Sequence, residues 1–384
     1  MAIKFKWVKD KKKSSKASKE EGRLKDFADE ISGKKKHSEI DKVKEFLREK
    51  GELEEPVKIE AKTRSKPKKS RSKKEKKITA KKEKKTKKQK KKKAKIKEEK
   101  IEEPVEEIEE AEEPIAEVTK KAHKRIPVRS RDSHKGDNGK VLVIGGSEFY
   151  VGAPGLAAMA AFRTGADMVY VSTTKAAAYV INGYDPGIIT QKLEGKFLTE
   201  KHYTKIKELI DKVDAIVIGC GLGKEKTTKN LVKKIVKLDI PKVIDGDALD
   251  LIKGADVRNA VLTPHHGEFK DLFGTTGKKE SMMVYSKPDK IILLKGRIDY
   301  ISDGVKIFKN KSGNPGMTVA GTGDVLAGIV GALLAIGFSL IDSARIGAHI
   351  SGEVGDHLKK DLGYCFTAED VVKNIPHSAK RFIK

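Results

Sequence analysis

From about Ile126 to the C-terminus, short apolar runs alternate with longer amphipathic stretches, a pattern that predicts strands separated by helices. The runs at 140–144, 168–172, 215–218, 242–244, 260–262 and 291–294 read as strands. Helical spacing falls at 154–164, 200–213, 227–237, 248–252 and 268–273, then at 325–336 and 340–359, with Gly337 placed to cap the first of the last two. Such an alternation implies crossover units, hence an α/β fold with a mostly parallel sheet covered on both faces. One segment departs from it. The β-runs 298–302 and 305–308 flank Asp303-Gly304, which predicts an antiparallel hairpin at a sheet edge.

The first 125 residues lack this periodicity. Only 27–48 shows a modest helical pattern, and no aromatic residue occurs between Gly51 and Glu148. Lysine and glutamate segregate instead: a lysine-rich block fills 62–100, and an acidic block with no base follows at 101–118. Little apolar surface is available there to offset the entropy of ordering, so 1–125 is expected to be a largely disordered charged arm before a folded domain at 126–384. Of the formal charge of +27, most resides in that arm. Its lysines suit non-specific RNA or DNA binding by counterion release, and the missing aromatics argue against sequence reading. A solvated spacer is the competing interpretation. The two cysteines, Cys220 and Cys365, imply no disulfide framework and read as small buried apolar residues. Neither a secretion signal nor a membrane span is apparent, and a cytoplasmic location is expected.

Chemistry concentrates where strands or turns run into glycines. The strongest signal is Asn314-Pro315-Gly316-Met317 leading to Gly321-Thr322-Gly323-Asp324-Val325-Leu326-Ala327-Gly328. Gly321 and Gly323 allow backbone angles that a side chain forbids, and the helix that follows offers unpaired amides and a positive dipole end. Gly321, Thr322 and Gly323 are therefore a candidate anion hole, and Asp324 a candidate base for a substrate hydroxyl. Gly145-Gly146-Ser147 after the first strand is a weak phosphate-loop signal, and Gly152-Ala153-Pro154-Gly155 opens a helix with room for a flat ring. Gly219-Cys220-Gly221-Leu222-Gly223 is as well explained by a plain turn. Asp245 and Asp247 could orient a hydroxyl or hold a metal through water, although helix capping explains Asp247 more simply. His265 and His266 adjoin on one loop without a third ligand at metal spacing, so no metal site is assigned. His265 is better suited to a substrate contact and Glu268 to a first helical turn. Lys295 and Arg297 could meet phosphate or be ordinary edge charges.

Taken in order, these motifs resemble those of the ADP/ATP-dependent NAD(P)H-hydrate dehydratases of the ribokinase-like superfamily. The similarity extends through Thr263-Pro264-His265-His266-Gly267-Glu268 and Leu294-Lys295-Gly296, from about Val128 to Ile383. The resemblance implies a three-layer α/β/α domain that removes water from the S-epimer of hydrated NADH or NADPH. ADP or ATP would be the co-substrate, with Mg²⁺ on its phosphates. It further implies that Ala153, Gly221, His265 and Asp324 line the hydrated nicotinamide site. Lys295, Gly296, Arg297, Ile298, Asp299 and Gly323 would contact the adenine nucleotide. A homo-oligomer and a separate epimerase protein are also implied. This chain departs from the family pattern at His266, where a proline is usual, and at Asp299, where a threonine is frequent. A small-molecule kinase on the same scaffold remains an alternative, as does a nucleic-acid-associated protein with a retired catalytic domain.

Overall fold

The computed structural model describes residues 129–383 together with Ile115. Expectations for the charged arm and for a helix at 27–48 lie outside these described residues.

Nine strands form one sheet in the order β3-β2-β1-β4-β5-β6-β7-β8-β9. They are β1 (Lys140–Ile144), β2 (Met168–Thr174), β3 (Ile189–Leu193), β4 (Ala215–Ile218), β5 (Lys242–Ile244), β6 (Ala260–Leu262), β7 (Lys290–Leu294), β8 (Asp299–Ser302) and β9 (Ile307–Asn310). All neighbours from β3 through β7 run parallel, and β8 and β9 close the edge antiparallel. The hairpin is present, but its loop spans four residues. Asp303 Oδ1 accepts the amides of Val305 and Lys306, which keeps Val305 out of the ladder and exposed.

Ten helices cover the sheet among the described residues: α1 (Ala153–Thr164), α2 (Lys175–Tyr184), α3 (Tyr203–Ile210), α4 (Lys226–Ile235), α5 (Asp247–Leu251), α6 (His266–Phe273), α7 (Lys279–Tyr285), α8 (Thr322–Ile336), α9 (Leu340–Leu362) and α10 (Ala368–Ala379). Strand side chains alternate between two cores. Val141, Val143, Val217 and Val243 pack with α1 and α8, whereas Leu142, Ile144, Ile216 and Ile218 pack with α3, α4 and α5. The result is the expected three-layer arrangement. Because both faces are covered, these strands are apolar beyond an initial lysine in β1 and β5, which is why they could be recognised as continuous apolar runs.

Helix α8 is buried on nearly all sides, with Val325 through Ala335 inaccessible. Its outer side faces α9 and α10 through Val325, Ile329 and Leu333. Two glycines bring it close to its neighbours: a Cβ at Gly328 would stand 2.1 Å from the Ala157 carbonyl oxygen of α1, and one at Gly331 would stand 2.3 Å from Val217 of β4. Those contacts fix where the helix begins. The chain leaves β1 toward β2 and β3 and returns to β4 on the other side, so the sheet has a switch point there. Ligands collect outside strand C-termini at such points.

The loop His134 to Gly139 sits at the other end of β1. Its amides at Gly136 and Asn138 and the Asn138 side chain all donate to Asp167 Oδ2, at 3.2, 3.0 and 2.9 Å. This loop is thus a structural staple between β1 and β2, remote from the strand C-termini. Cys365 follows Gly363 in the loop after α9 and is exposed, contrary to the expectation of a buried residue.

Candidate active site

The C-terminal ends of four adjacent strands and the N-terminus of α8 meet at one corner. Gly321 makes the corner possible: its φ of 96° is left-handed, and it precedes the helix without any capping side chain. Gly323 behaves differently from expectation. It lies inside the first turn with ordinary helical φ, and its value is space, since a Cβ there would sit 3.4 Å from Lys295 Nζ. The first backbone bond of the helix runs from the Val325 amide to Gly321 O at 3.0 Å, so the Gly323 and Asp324 amides lie ahead of the ladder. Thr322 contributes less to an anion hole than expected. Its hydroxyl turns inward to Met317 O (2.7 Å) and Val319 O (3.0 Å), and its amide leans on Val319 O at 3.4 Å.

Asp324 occupies the third position of α8, in a cluster with Cys220 and Asp245 whose ligand-type atoms all lie within 4.8 Å of one another. Burial, followed by the negative charge of Asp245, pushes the Asp324 carboxyl up to about 7; the Cys220 hydrogen bond and Lys295 oppose that rise. A carboxyl with this value is a competent base near neutrality.

Asp245, at the end of β5, is buried at 3% exposure and fully engaged at one oxygen. Its Oδ1 accepts the Thr263 hydroxyl at 2.6 Å and the Lys295 ammonium at 2.8 Å. Burial alone would lower the Lys295 pKa, yet the carboxylates of Asp245, Glu268 and Asp324 hold it above the ordinary lysine value. Lys295 is therefore neither a free edge charge nor a solvent-facing one; it is a permanent cation beside Gly323. Asp247 does not cap its own helix, where Gly246 holds the N-cap position. It reaches back to the Gly223 amide at 2.9 Å and tethers the turn after β4.

Four residues expected around the nicotinamide divide into two groups. Gly221, Ala153 and Asp324 converge: a Cβ at Gly221 would meet Tyr150 at 2.7 Å and Ala153 at 3.2 Å, and its neighbour Cys220 touches Asp324. His265 lies on the rim, more exposed, next to Pro264, whose carbonyl accepts the Lys295 amide at 2.9 Å. It is the N-cap of α6: Nδ1 accepts the amides of Gly267 (3.0 Å) and Glu268 (3.1 Å), and Glu268 Oε2 returns a bond to the His265 amide (2.8 Å). With Nδ1 accepting, the ring proton belongs on Nε2, which stands 3.6 Å from Glu268 Oε1. His266 packs against Gly277 and Gly296, close to where their side chains would be.

In the segment expected to contact the nucleotide, Gly296 and Arg297 are exposed and Ile298 is half-buried. Asp299 turns out to be a fastener. One oxygen accepts the Gly296 amide and the other the Asn310 side chain, each at 3.0 Å, so its charge is directed into the fold. Burial nevertheless raises its pKa. What the sequence reading missed is the Asp245–Lys295–Thr263 set and the thiol of Cys220. The Asp245–Lys295 bond spans fifty residues, and no local pattern announces such a pair.

Comparison with known proteins identifies the family. A family model described as NAD(P)H-hydrate dehydratase matches residues 141–377. A bifunctional NAD(P)H-hydrate repair enzyme of Methanothermobacter thermautotrophicus is 41% identical over 268 residues, covering 66% of this chain and 52% of that protein. The chain thus spans about half the length of the first curated relatives it matches. An ADP-dependent (S)-NAD(P)H-hydrate dehydratase of Cenarchaeum symbiosum is 38% identical over 271 residues, covering 67% of this chain and 94% of that protein. Among solved structures, a ribokinase-like superfamily protein of Enterococcus faecalis aligns with a TM-score of 0.60 at 25% identity, over 70% of this chain and 94% of that one. The Bacillus subtilis ADP/ATP-dependent NAD(P)H-hydrate dehydratase, co-crystallised with ATP/Mg²⁺, shares the fold with a TM-score of 0.60 at 24% identity, over 70% of this chain and 97% of that one. By sequence, and on this ribokinase-like scaffold, the chain belongs to the NAD(P)H-hydrate dehydratase family.

Proposed function

We propose that this chain dehydrates the S-epimer of hydrated NADH or NADPH, using ADP or ATP as phosphoryl donor. The observation that carries the reading is Asp324: a half-buried carboxyl, poised near neutrality, at the open end of α8. Asp324 takes the proton of the ring hydroxyl as that oxygen bonds to the terminal phosphorus of the nucleotide. The bond from that phosphorus to the rest of the nucleotide breaks, releasing AMP from ADP or ADP from ATP. Phosphate then departs with the carbon–oxygen electron pair, and the adjacent ring carbon gives up a proton to it, restoring the double bond.

Other groups assist by position and charge. The Gly323 and Asp324 amides and the Lys295 ammonium bear on one spot, which supports placing the transferring phosphoryl group there. Ala153 and Gly221 form a side-chain-poor wall for the nicotinamide, and His265 Nε2 offers a donor at the rim. Lys295, Gly296, Arg297 and Ile298 border the nucleotide, and Asp299 holds that border in shape.

Mg²⁺ has no suitable cage here. Cys220, Asp245 and Asp324 are the one set of three candidate ligands within mutual reach among the described residues, and they include a soft thiol and a carboxylate whose Oδ1 is already taken by Lys295 and Thr263. The ion would travel on the nucleotide phosphates, neutralising their charge.

The test is an incubation with hydrated NADH and ADP. Recovery of reduced-nicotinamide absorbance with equimolar AMP and phosphate is expected. A stable phosphorylated ring, with no recovery of absorbance, would make the protein a kinase instead.

A further inference from the structure

The turn after β4 carries a thiol into the same corner as the two carboxylates. Cys220 is 1% exposed, and its Sγ lies within 4.8 Å of oxygens of both Asp245 and Asp324. Its position is clamped from both sides. Gly219 and Gly221 take φ of 128° and 62°, and a Cβ at Gly219 would fall 1.8 Å from the Asp245 carbonyl oxygen. Burial, then the charges of Asp324 and Asp245, push the thiol pKa well up, so it remains a protonated donor. Asp245 Oδ1 is taken by Lys295 and Thr263, which leaves the Asp324 carboxyl, within 4.8 Å of Sγ, as the acceptor beside the thiol.

We propose that Cys220 is a positioning residue for the dehydration: its S–H donates to the Asp324 carboxylate, holds it toward the glycine turn and stabilises its ionised form. This rests on the function proposed above. The charged and titratable groups bearing on Asp324 are Asp245 from β5, Lys295 from β7, Asp247 from α5 and Cys220 itself. Both aspartates disfavour the ionised base. Only Lys295 and the thiol favour it, and Lys295 is already shared with Asp245. Loss of the thiol therefore falls directly on Asp324.

The experiment compares the full chain with Cys220→Ala and Cys220→Ser. Two quantities are read: the pH profile of kcat/KM for hydrated NADH at saturating ADP, and the ¹³C carboxyl titration of Asp324 without substrate. With Cys220→Ala, both the acid limb and the titration should move up by about half to one pH unit, as expected for loss of a hydrogen bond to the charged form. The rate should approach wild type at the alkaline end, and the KM for ADP should not change. Cys220→Ser keeps a donor and should titrate at or below wild type. A loss by the same factor at every pH, or identical behaviour of Ala and Ser, would mean that the thiol only fills space and would overturn the proposal. Should the wild-type chain fail to dehydrate at all, the functional reading falls. The substrate-free titration then still decides the thiol's role, and an unmoved Asp324 in Cys220→Ala would refute it.

Discussion

Asp324 is held against its own electrostatics. It is half-buried, faces Asp245 and Asp247, and shares a single cation, Lys295, with its neighbours. Its pKa is about 7 in the fold, against about 3.9 in an unfolded chain. Between those values the folded state binds more protons than the unfolded one, so this group's contribution to stability declines as pH rises through the window. Asp324→Asn should therefore melt higher than wild type at about pH 8, by at most a few kcal/mol, and lose that advantage by about pH 4. A variant melting no higher than wild type on the alkaline side would contradict the assignment. The place of Asp324 in the first turn of a helix could be read from the sequence because glycines precede it and an apolar run follows. Lys295 and Asp245 could be singled out but not paired, since the strands that join them are distant in the chain. Cys220 read as a core residue, and it is buried; its nearness to Asp324 became visible only once α8 was in place.

At the scale of elements, the approach of α8 to α1 and the sheet sets where the site begins. Gly328→Ala would force the helices apart at the Ala157 carbonyl, at a cost of about 1–3 kcal/mol, and would shift the first turn. Both thermal stability and turnover should fall, and a variant with wild-type values of both would show that the close approach is not required. At the opposite end of the sheet, Lys242 is fully buried at the start of β5 and donates to the carbonyls of Leu238, Arg258 and Asn259. Burial lowers its pKa to about 8. The unfolded chain holds that proton to about pH 10.4, so this group should make the fold more stable as pH rises between the two values. Lys242→Met would orphan the carbonyls and cost about 1–3 kcal/mol near neutrality, readable by denaturant titration; an unchanged midpoint would mean other donors replace the ammonium. Strands β1, β4, β5 and β6 matched their expected limits because burial on both faces leaves an unbroken apolar run. Others escaped for physical reasons. Edge strand β3 carries Thr190, Gln191 and Lys192, α2 contains Asn182-Gly183, and α10 accommodates Pro376 within its length. The helix expected at 200–213 proves to be a 3₁₀ turn followed by a shorter α3.

Across the whole molecule, parallel strands joined by helices were apparent from periodicity alone, but the strand order was not, because it depends on contacts between distant segments. No helix among the described residues is long and apolar enough to cross a membrane. Charge divides the sequence sharply, with lysine concentrated ahead of Ile126. A version beginning at Ile126 should keep dehydration and lose most RNA affinity together with its steep salt dependence; equal affinity in both forms would place any RNA binding on the folded part. The account as a whole depends on a proton leaving the ring hydroxyl for Asp324. Turnover of hydrated NADH with ADP by wild type and Asp324→Asn, measured side by side with adenine-nucleotide affinity, tests that transfer most directly. The predicted result is a loss of about 10²- to 10⁴-fold in rate with nucleotide binding retained, and the contradicting result is an asparagine variant that turns over near the wild-type rate.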